Sequence, residues 1–470
     1  MCFSHSLSIR DQRARKWKKL AWVNAIYLPL EVFTREWPGK LLLACSLASC
    51  GYVSVVGHKT FVRRIANKAY RPGVFFNIAA RKKEAANAQE LREKRFRFVA
   101  QDEEAGTIFG QYVNFYSGRS ADWMVEEFDR FFCWGQDEYD FHQKHTSNAN
   151  GLLVSGGLRS IFWGGLGRQF HLREIDELKE KYGRYVLFTT NFKYSNSILT
   201  LEQQERWRSK DSGWSKGGRE HFYSQVESDQ RLFEDFVKGI QVVLDETELN
   251  VVLKPHPMEQ PEVWLERLGH HPRLFIVSGV EATPLILAAQ ACVQNSCSTG
   301  LESAAAGIPT INLAFDPDDF VRDGKSVPDQ LGCRADSPAA LVAALGALEP
   351  PRPSKLLHDK VAYCGTSTPV AVMTDEIQQL VDEIKGGSNG RFPVSTMIKQ
   401  ILRNLRSSLA GQRERLSSDA QRVENTKRPE ISLETARVDV ERICDLVDIK
   451  VPLTIKQLEK STFEIRRDRK

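Results

Sequence analysis

The sequence has 470 residues, 41% hydrophobic and 27% charged, with a formal net charge of +5 from 65 basic and 60 acidic residues. This length exceeds what one hydrophobic core usually serves, so it predicts two domains plus an appendage. So balanced a charge gives no indication of a nucleic-acid partner. Nine cysteines without a Cys-x-x-Cys pair or zinc spacing indicate neither a disulfide framework nor a structural metal, and they favour the cytoplasm.

Residues 1–19 form a basic leader, with lysine and arginine gathered around Trp17. The simpler interpretation is a solvated leader, and the alternative is peripheral contact with an anionic inner membrane. No window reaches the roughly 18 uninterrupted apolar residues of a spanning helix.

Residues 20–165 predict a first Rossmann-like α/β domain. Strands are expected over 20–30, 52–57, 74–78 and 96–100, with a helix over 40–51. Residues 151–159 are expected to form the last strand and turn, and the glycine-containing segment 163–170 a hinge loop.

Three consecutive carboxylates, Asp102, Glu103 and Glu104, follow the strand predicted over 96–100. Such crowding raises the pKa of at least one carboxyl group, which suits a general base that deprotonates a hydroxyl. Glu103 is the first choice. The competing interpretation is a solvated acidic loop.

Other polar residues of this domain are candidates for lining a cleft. Glu31, Arg35 and Glu36 follow the first strand, and Lys40 opens the next predicted helix at an anion-friendly start. An interdomain ion pair is an equal alternative for Arg35.

Residues 166–386 predict a second Rossmann-like domain that faces the first across a cleft. Its expected elements are strands over 185–190 and 249–253 and a helix over 219–244. Asn191 lies at the end of the first of these strands. Lys254 and His256 follow the second, where ligands bind in open parallel sheets. Pro255 and Pro257 fix the backbone around the imidazole.

Residues 289–313 predict a strand, a hydroxyl-rich turn, a helix from Leu301 and another strand. The first turn of a helix attracts anions through its unpaired N–H groups and the helix dipole. The candidate phosphate ligands there are Ser296, Ser298, Thr299 and Gly300. Glu302 would accept hydrogen bonds from ribose hydroxyls or cap the helix, and a well-capped helix without a ligand is the alternative.

Residues 387–470 are polar and predict a helical extension, with helices over 395–409 and 433–447. Weak apolar stripes there permit an oligomer contact or a membrane-surface contact.

The segments 250–257 (NVVLKPHP) and 294–313 (QNSCSTGLESAAAGIPTINL) resemble the C-terminal domain of GT-B enzymes, especially bacterial surface-carbohydrate biosynthesis proteins. Residues 26–40 (IYLPLEVFTREWPGK), 53–58 (VSVVGH), 101–106 (QDEEAG) and 132–135 (FCWG) are similar to the same family, so the resemblance spans about 20–385. One departure is Gly156-Gly157-Leu158-Arg159, where a Gly-x-Pro-Arg pattern is expected. Arg159 is the cleft candidate of that segment.

The resemblance implies a glycosyltransferase that uses CMP-activated ulosonic acids of the Kdo, sialic or legionaminic type. It implies that His256, Ser298 and Thr299 hold the cytidine nucleotide and its phosphate. The acceptor would be a hydroxyl of a glycan or lipid-linked glycan. The nucleotide sugar is a co-substrate, no other cofactor is expected, and a monophosphate leaving group requires no metal in principle.

Three alternatives are open. A UDP-sugar 2-epimerase or a CDP-alditol phosphotransferase would share the architecture. A non-catalytic nucleotide-binding scaffold of glycan assembly is the third.

Overall fold

A computed structural model describes residues 25–69, 72–78, 89–107, 112, 116, 127–147, 149–209, 218–295, 297–315, 330–351, 354–386 and 429–468. These residues form two β-sheets, each with a parallel core and flanking helices. The predicted α/β class with two parallel-sheet domains is therefore confirmed. The leader 1–19 and the helix predicted over 395–409 lie outside the described residues.

The first sheet is built on six parallel strands in the spatial order β2-β1-β3-β4-β5-β6. In chain order β1 to β6 span Ala25–Leu30, Val53–His58, Val74–Asn77, Arg97–Ala100, Arg130–Cys133 and Leu152–Val154. Residues of β1 are buried throughout, as expected for a parallel strand covered on both faces.

The second sheet contains only parallel pairs, in the order β12-β11-β10-β7-β8-β9. In chain order β7 to β12 span Tyr185–Thr189, Asn250–Lys254, Leu274–Ile276, Ala291–Gln294, Thr310–Leu313 and Cys333–Ala335. The strands predicted over 185–190 and 249–253 are confirmed to within one residue.

Two strands near the chain end return to the first sheet. β13 (Leu453–Glu459) and β14 (Thr462–Arg467) form an antiparallel hairpin, and β14 pairs antiparallel with β2. The C-terminal segment thus contributes strands as well as the predicted helix.

The described helices flank these sheets. In chain order α1 to α14 span Phe33–Ser49, Lys59–Lys68, Gln136–His145, Gly165–Phe170, Leu172–Tyr182, Leu201–Arg208, Gly218–Glu246, Pro261–Leu268, Ala282–Ala288, Ser298–Ala305, Pro338–Ala347, Lys355–Lys360, Thr368–Gly386 and Leu433–Leu446. Among the described residues, no helix is both long enough and apolar enough to cross a bilayer.

The two sheets have separate cores. Helices α1, α13 and α14 cover one face of the first sheet, where Leu42, Met373 and Val440 share one core. Helix α7 covers one face of the second sheet, and α5 and α9 cover the other. Because α13 and residues 429–468 pack on the first sheet, the predicted boundary at 386/387 does not coincide with a change of core.

Helix α1 begins seven residues before the predicted start at Lys40. The Glu36 carboxylate accepts the backbone N–H groups of Glu31 at 2.7 Å and Val32 at 3.1 Å, which satisfies donors that a helix start leaves unpaired. Pro38 lies inside the helix. Lys40 is therefore a buried residue within α1, and the anion-binding helix start predicted there is wrong.

Helix α10 begins at Ser298 and not at the predicted Leu301. The Gln294 side chain accepts the N–H of Cys297 at 2.7 Å, which fixes the start. A Cβ at Gly300 would lie 2.6 Å from Cδ of Gln294, so only glycine permits this close approach of helix and strand. Ser298 and Thr299 consequently lie in the first helical turn.

The segment 163–170 is mostly helical and not the predicted loop. A 3₁₀ turn at Arg159–Phe162 leads into α4, and the rings of Phe162 and Phe170 meet edge to face with centroids 5.0 Å apart. This packing stabilises the helix, which the sequence did not predict because two of its six residues are glycine.

Candidate active site

The polar residues predicted at strand ends meet where the carboxyl edges of the two sheets approach each other. Leu301 and Ala304 of α10 pack with Trp134 and Trp163, which follow β5 and β6. We use the name interdomain charge cluster for the titratable side chains at this junction: Arg35, Glu36, Lys40, Glu103, Arg159 and Glu302.

Glu36 is enclosed by protein and lies beside other charges. Burial, followed by the negative charge of Glu103, raises the pKa of Glu36 to about 7. The positive charges of Arg35 and Lys40 oppose this shift. A raised pKa is thus found on a carboxyl group beside the acidic triplet. Glu31, which precedes α1, pairs instead with Lys59 at 2.5 Å.

Glu103 and Lys40 form a buried ion pair. Nζ of Lys40 lies 2.9 Å from Oε1 of Glu103 and 3.3 Å from the ring centroid of Phe76. Burial lowers the pKa of Lys40, and Glu103 opposes that effect. The charges of Lys40 and Glu103 thus compensate each other inside the protein.

The other two carboxylates of the triplet differ in access to solvent. Asp102 is buried, and its Oδ1 accepts the backbone N–H of Glu104 at 3.0 Å. The Glu104 side chain is 36% exposed and receives a hydrogen bond from Arg35 at 3.5 Å. Glu104 is therefore the most accessible carboxylate of the three.

Arg159 lies between the carboxyl groups of the two sheets. Its guanidinium lies 5.9 Å from the ring centroid of Trp134 and 5.2 Å from that of Trp163. Burial, followed by the positive charge of Arg35, lowers the pKa of Arg159, whereas Glu302, Glu103 and Glu36 raise it.

Two glycines shape the turn that carries Arg159. Gly156 has a φ of +79°, and a Cβ at Gly157 would lie 2.4 Å from the ring of Trp134. Because only glycine fits both positions, the Gly-Gly-Leu-Arg sequence brings Arg159 against the indole without the expected proline.

Glu302 is the member of the interdomain charge cluster that belongs to the second domain. It is buried in α10 and accepts a hydrogen bond from the Thr283 hydroxyl. Burial raises its pKa, and the charges of Arg159 and Lys254 lower it. Lys254 is half-buried at the end of β8, and burial lowers its pKa.

The hydroxyl-rich turn is partly as predicted. Oγ1 of Thr299 lies 2.7 Å from Oγ1 of Thr189 at the end of β7. Ser298 is partly exposed in the first turn of α10, and Asn191 is half-buried beyond β7. Gly300 is buried and has a packing role, whereas Ser296 lies outside the described residues.

His256 is positioned by Glu259, which was not among the residues predicted from the sequence. Nδ1 of His256 accepts the Met258 N–H at 3.2 Å, and its own backbone N–H donates to Glu259 at 3.1 Å. The acceptor role of Nδ1 assigns the proton of the neutral ring to Nε2.

Glu259 joins the loop after β8 to the loop after β7. Its buried carboxylate also accepts hydrogen bonds from the Thr190 hydroxyl, the Phe192 N–H and the Trp264 indole. Burial raises the pKa of Glu259 to about 7, and the hydrogen bonds lower it. Its burial has no signal in the sequence beyond its place just before the helix-opening Pro261.

Chemically, each side of the junction carries both basic groups and carboxyl groups, and the second sheet adds the start of α10. Among the described residues, no group of three or more His, Cys, Asp or Glu side chains is arranged to hold a metal ion.

The sequence matches no protein-family model and no curated protein sequence. Several solved structures are similar. The UDP-GlcNAc 2-epimerase from Methanocaldococcus jannaschii has a TM-score of 0.48 at 12% identity, covering 75% of this chain and 99% of its own.

The wall teichoic acid polymerase TagF soaked with CDPG has a TM-score of 0.46 at 10% identity, covering 80% of this chain and 95% of its own. The UDP-N-acetylglucosamine 2-epimerase from Rickettsia bellii has a TM-score of 0.45 at 11% identity. The match covers 77% of this chain and 98% of the epimerase. At these identities and TM-scores the likeness carries no information on activity.

Proposed function

We propose that this chain is a GT-B-type glycosyltransferase that moves an ulosonic acid from a CMP-sugar onto a hydroxyl of a surface glycan. The observation that supports it is the packing of Leu301 and Ala304 of α10 against Trp134, whose indole donates to the backbone oxygen of Asp102 at 2.8 Å. This packing brings the start of α10 to the same junction as the carboxylates at 102–104, and the charges of Arg159 and Lys254 both act on Glu302 there.

The nucleotide would lie on the second sheet. Lys254, Nε2 of His256 and the first turn of α10 offer a positive charge, an N–H donor and unpaired backbone N–H groups to a phosphate. Thr299 adds a hydroxyl already oriented by Thr189. Asn191 lies at the same edge, near the position proposed for the ribose beside Glu302.

The acceptor would meet the first sheet. We assign the general base to Glu104, because Glu103 is held in an ion pair with Lys40 and Asp102 is buried. Glu104 would accept the proton of the acceptor hydroxyl while Arg35 orients its carboxylate. The CMP phosphate would leave against Lys254 and the start of α10, which stabilise its negative charge.

The test is the melting temperature of the purified chain with CMP, CDP, UDP and GDP at matched concentrations. A nucleotide that binds only the folded state raises the melting temperature by mass action. We expect CMP to give the largest shift and His256→Ala to abolish it. A shift with none of the four nucleotides would contradict the proposal.

A UDP-sugar 2-epimerase is the second candidate. Two carboxyl groups with raised pKa, Glu36 and Glu302, lie in the same cluster as Arg159, and such groups suit the removal and return of a proton. Selective stabilisation by UDP would favour this candidate, and selectivity for CDP would favour a CDP-alditol phosphotransferase. Nucleotide binding without turnover would favour a scaffold in glycan assembly.

A further inference from the structure

Arg159 is a buried cation without a hydrogen-bonding partner in the described part of the chain. The residue is 7% exposed, and its Nε is buried without an acceptor. Arginine carries five N–H donors, and buried donors are nearly always paired in folded proteins. The buried, unpaired Nε of Arg159 at the junction of two sheets therefore indicates a missing acceptor.

The surroundings restrict what that acceptor can be. The indoles of Trp134 and Trp163 lie against the guanidinium, at centroid distances of 5.9 and 5.2 Å. A guanidinium held against aromatic rings still presents its planar edge. That edge matches the two oxygens of a carboxylate or phosphate in a bidentate pair.

A second cation, Lys254, lies near Glu302 on the side of the second sheet. Lys254 and Arg159 both act on the Glu302 carboxyl, and Lys254 lies on the phosphate side, next to the start of α10. The two cations thus mark two anion positions, and only the Lys254 position has the helix start typical of a phosphate site.

We propose that Arg159 binds the carboxylate of the donor sugar, so that the chain selects nucleotide sugars whose sugar is an acid. This inference rests on the proposed function. In an ulosonic acid the carboxylate is attached to the anomeric carbon. A group that binds it therefore lies between the phosphate subsite and the base, which is where Arg159 lies.

The state of Glu302 agrees with this assignment. A charged Glu302 would repel a carboxylate bound at Arg159, and burial favours the neutral form of Glu302. Thr283 already donates to one of its oxygens. Burial thus raises the pKa of Glu302 and so reduces its repulsion of an incoming anion, although Thr283, Arg159 and Lys254 act in the opposite direction.

The experiment compares the affinity of the chain for CMP with that for two acidic donors, CMP-N-acetylneuraminate and CMP-Kdo, by calorimetry. For the unchanged chain we expect at least one donor to bind roughly tenfold tighter than CMP, the gain typical of a charge-assisted bidentate pair. Arg159→Gln should lose this advantage while its affinity for CMP stays the same. Arg159→Lys, which keeps the charge but not the planar edge, should lose most of it.

Arg168→Gln is the matched control, because Arg168 donates to the backbone oxygens of Leu287 and Ala306 and faces no proposed ligand. It should leave both affinities unchanged. If Arg159→Gln unfolds, judged by its melting temperature without ligand, Arg159→Lys decides the test.

The outcomes separate the two proposals. Equal weakening of CMP and donor binding in the Arg159 variants would place phosphate at Arg159 and overturn the carboxylate assignment. An unchanged chain that binds CMP but prefers neither acidic donor would overturn the inference and leave the proposed function standing. A chain that binds no cytidine nucleotide would overturn both.

Discussion

Glu36 couples the site to pH because its carboxyl group is enclosed in the fold. Its pKa is about 7 in the folded chain against 4.5 for an exposed glutamate. Between these values the unfolded chain releases a proton that the folded chain retains, so stability falls as pH rises from about 4.5 to 7. Below that window this group no longer changes stability with pH.

Replacing Glu36 with Gln should flatten this fall. We expect the loss of unfolding free energy between pH 5 and pH 8 to shrink by roughly 1–3 kcal/mol, measured by urea denaturation. Glu259, whose pKa is also about 7, titrates in the same pH range and should maintain part of the slope in the Glu36→Gln variant. Exposed Glu227 offers a matched control, since Glu227→Gln should leave the slope unchanged. An unaltered slope in Glu36→Gln would show that Glu36 titrates near its ordinary value.

Glu103→Gln tests the buried ion pair. It leaves the Lys40 ammonium buried without a counter-charge, so we expect a loss of about 3–5 kcal/mol in unfolding free energy. The double variant Lys40→Met with Glu103→Leu should recover most of that loss, because apolar groups of similar size need no partner. A single variant as stable as the unchanged chain would contradict the pairing.

Glu104→Gln tests the proposed base. We expect the rate of CMP release in the presence of an acceptor glycan to fall by about 10²–10⁴-fold, since that is the usual contribution of a general base. The affinity for CMP should stay the same, because Glu104 lies on the acceptor side. Glu104→Asp keeps a carboxylate and should retain part of the rate. An unreduced rate in Glu104→Gln would remove Glu104 from the mechanism.

Among the helices, α10 depends on how closely it approaches β10. Gly300→Ala places a methyl group 2.6 Å from Cδ of Gln294, so we expect a loss of about 1–3 kcal/mol and weaker nucleotide binding. Gly346→Ala in α11 is the matched control, because its Cβ would enter open space. That change should be neutral or stabilise by about 0.5–1 kcal/mol. If Gly300→Ala and Gly346→Ala proved equally stable in thermal and urea denaturation, the close contact at Gly300 would be contradicted.

Strands were predictable where helix starts were not. Parallel strands buried on both faces appear in the sequence as short apolar runs, and those of β1, β7 and β8 were found within a few residues. The starts of α1 and α10 depend on side chains, Glu36 and Gln294, that accept particular backbone N–H groups. Such contacts leave no periodic pattern.

The sequence indicated where the candidate site residues lie along the elements, but not which residues they would pair with. Strand ends marked His256 and the triplet at 102–104 as candidates, and a helix start marked Glu302. The pairing of Lys40 with Glu103 and the approach of Arg159 to Glu302 require the relative positions of distant elements. Local sequence does not encode these positions.

For the molecule as a whole, residues 429–468 are part of the first domain's structure. Trp37 of α1 donates to Asp439 at 2.8 Å, and Arg442 pairs at 2.6 Å with Glu174 of α5, beside the second sheet. Helix α14 therefore contacts helices that serve both sheets.

Phe463→Asp should show how much the first domain depends on this segment. Phe463 is fully buried in β14 and packs against Trp37 at a centroid distance of 5.8 Å. We expect a loss of about 3–5 kcal/mol, because the change removes a core aromatic and buries a charge. Lys456→Asp, on the exposed side of the adjacent strand, is the control and should cost less than about 1 kcal/mol. A mild effect of Phe463→Asp would indicate that the first domain folds without the hairpin.

The pairing of β14 with β2 also sets an order of events during synthesis on the ribosome. Val53–His58 is made early, yet the strand that covers its outer edge in the described part of the chain, Thr462–Arg467, is made hundreds of residues later. An unpaired strand edge is a template for association with other chains. Until Thr462–Arg467 is made, the nascent first sheet lacks the strand that pairs with this edge of β2, which makes the edge a natural place for a chaperone to bind.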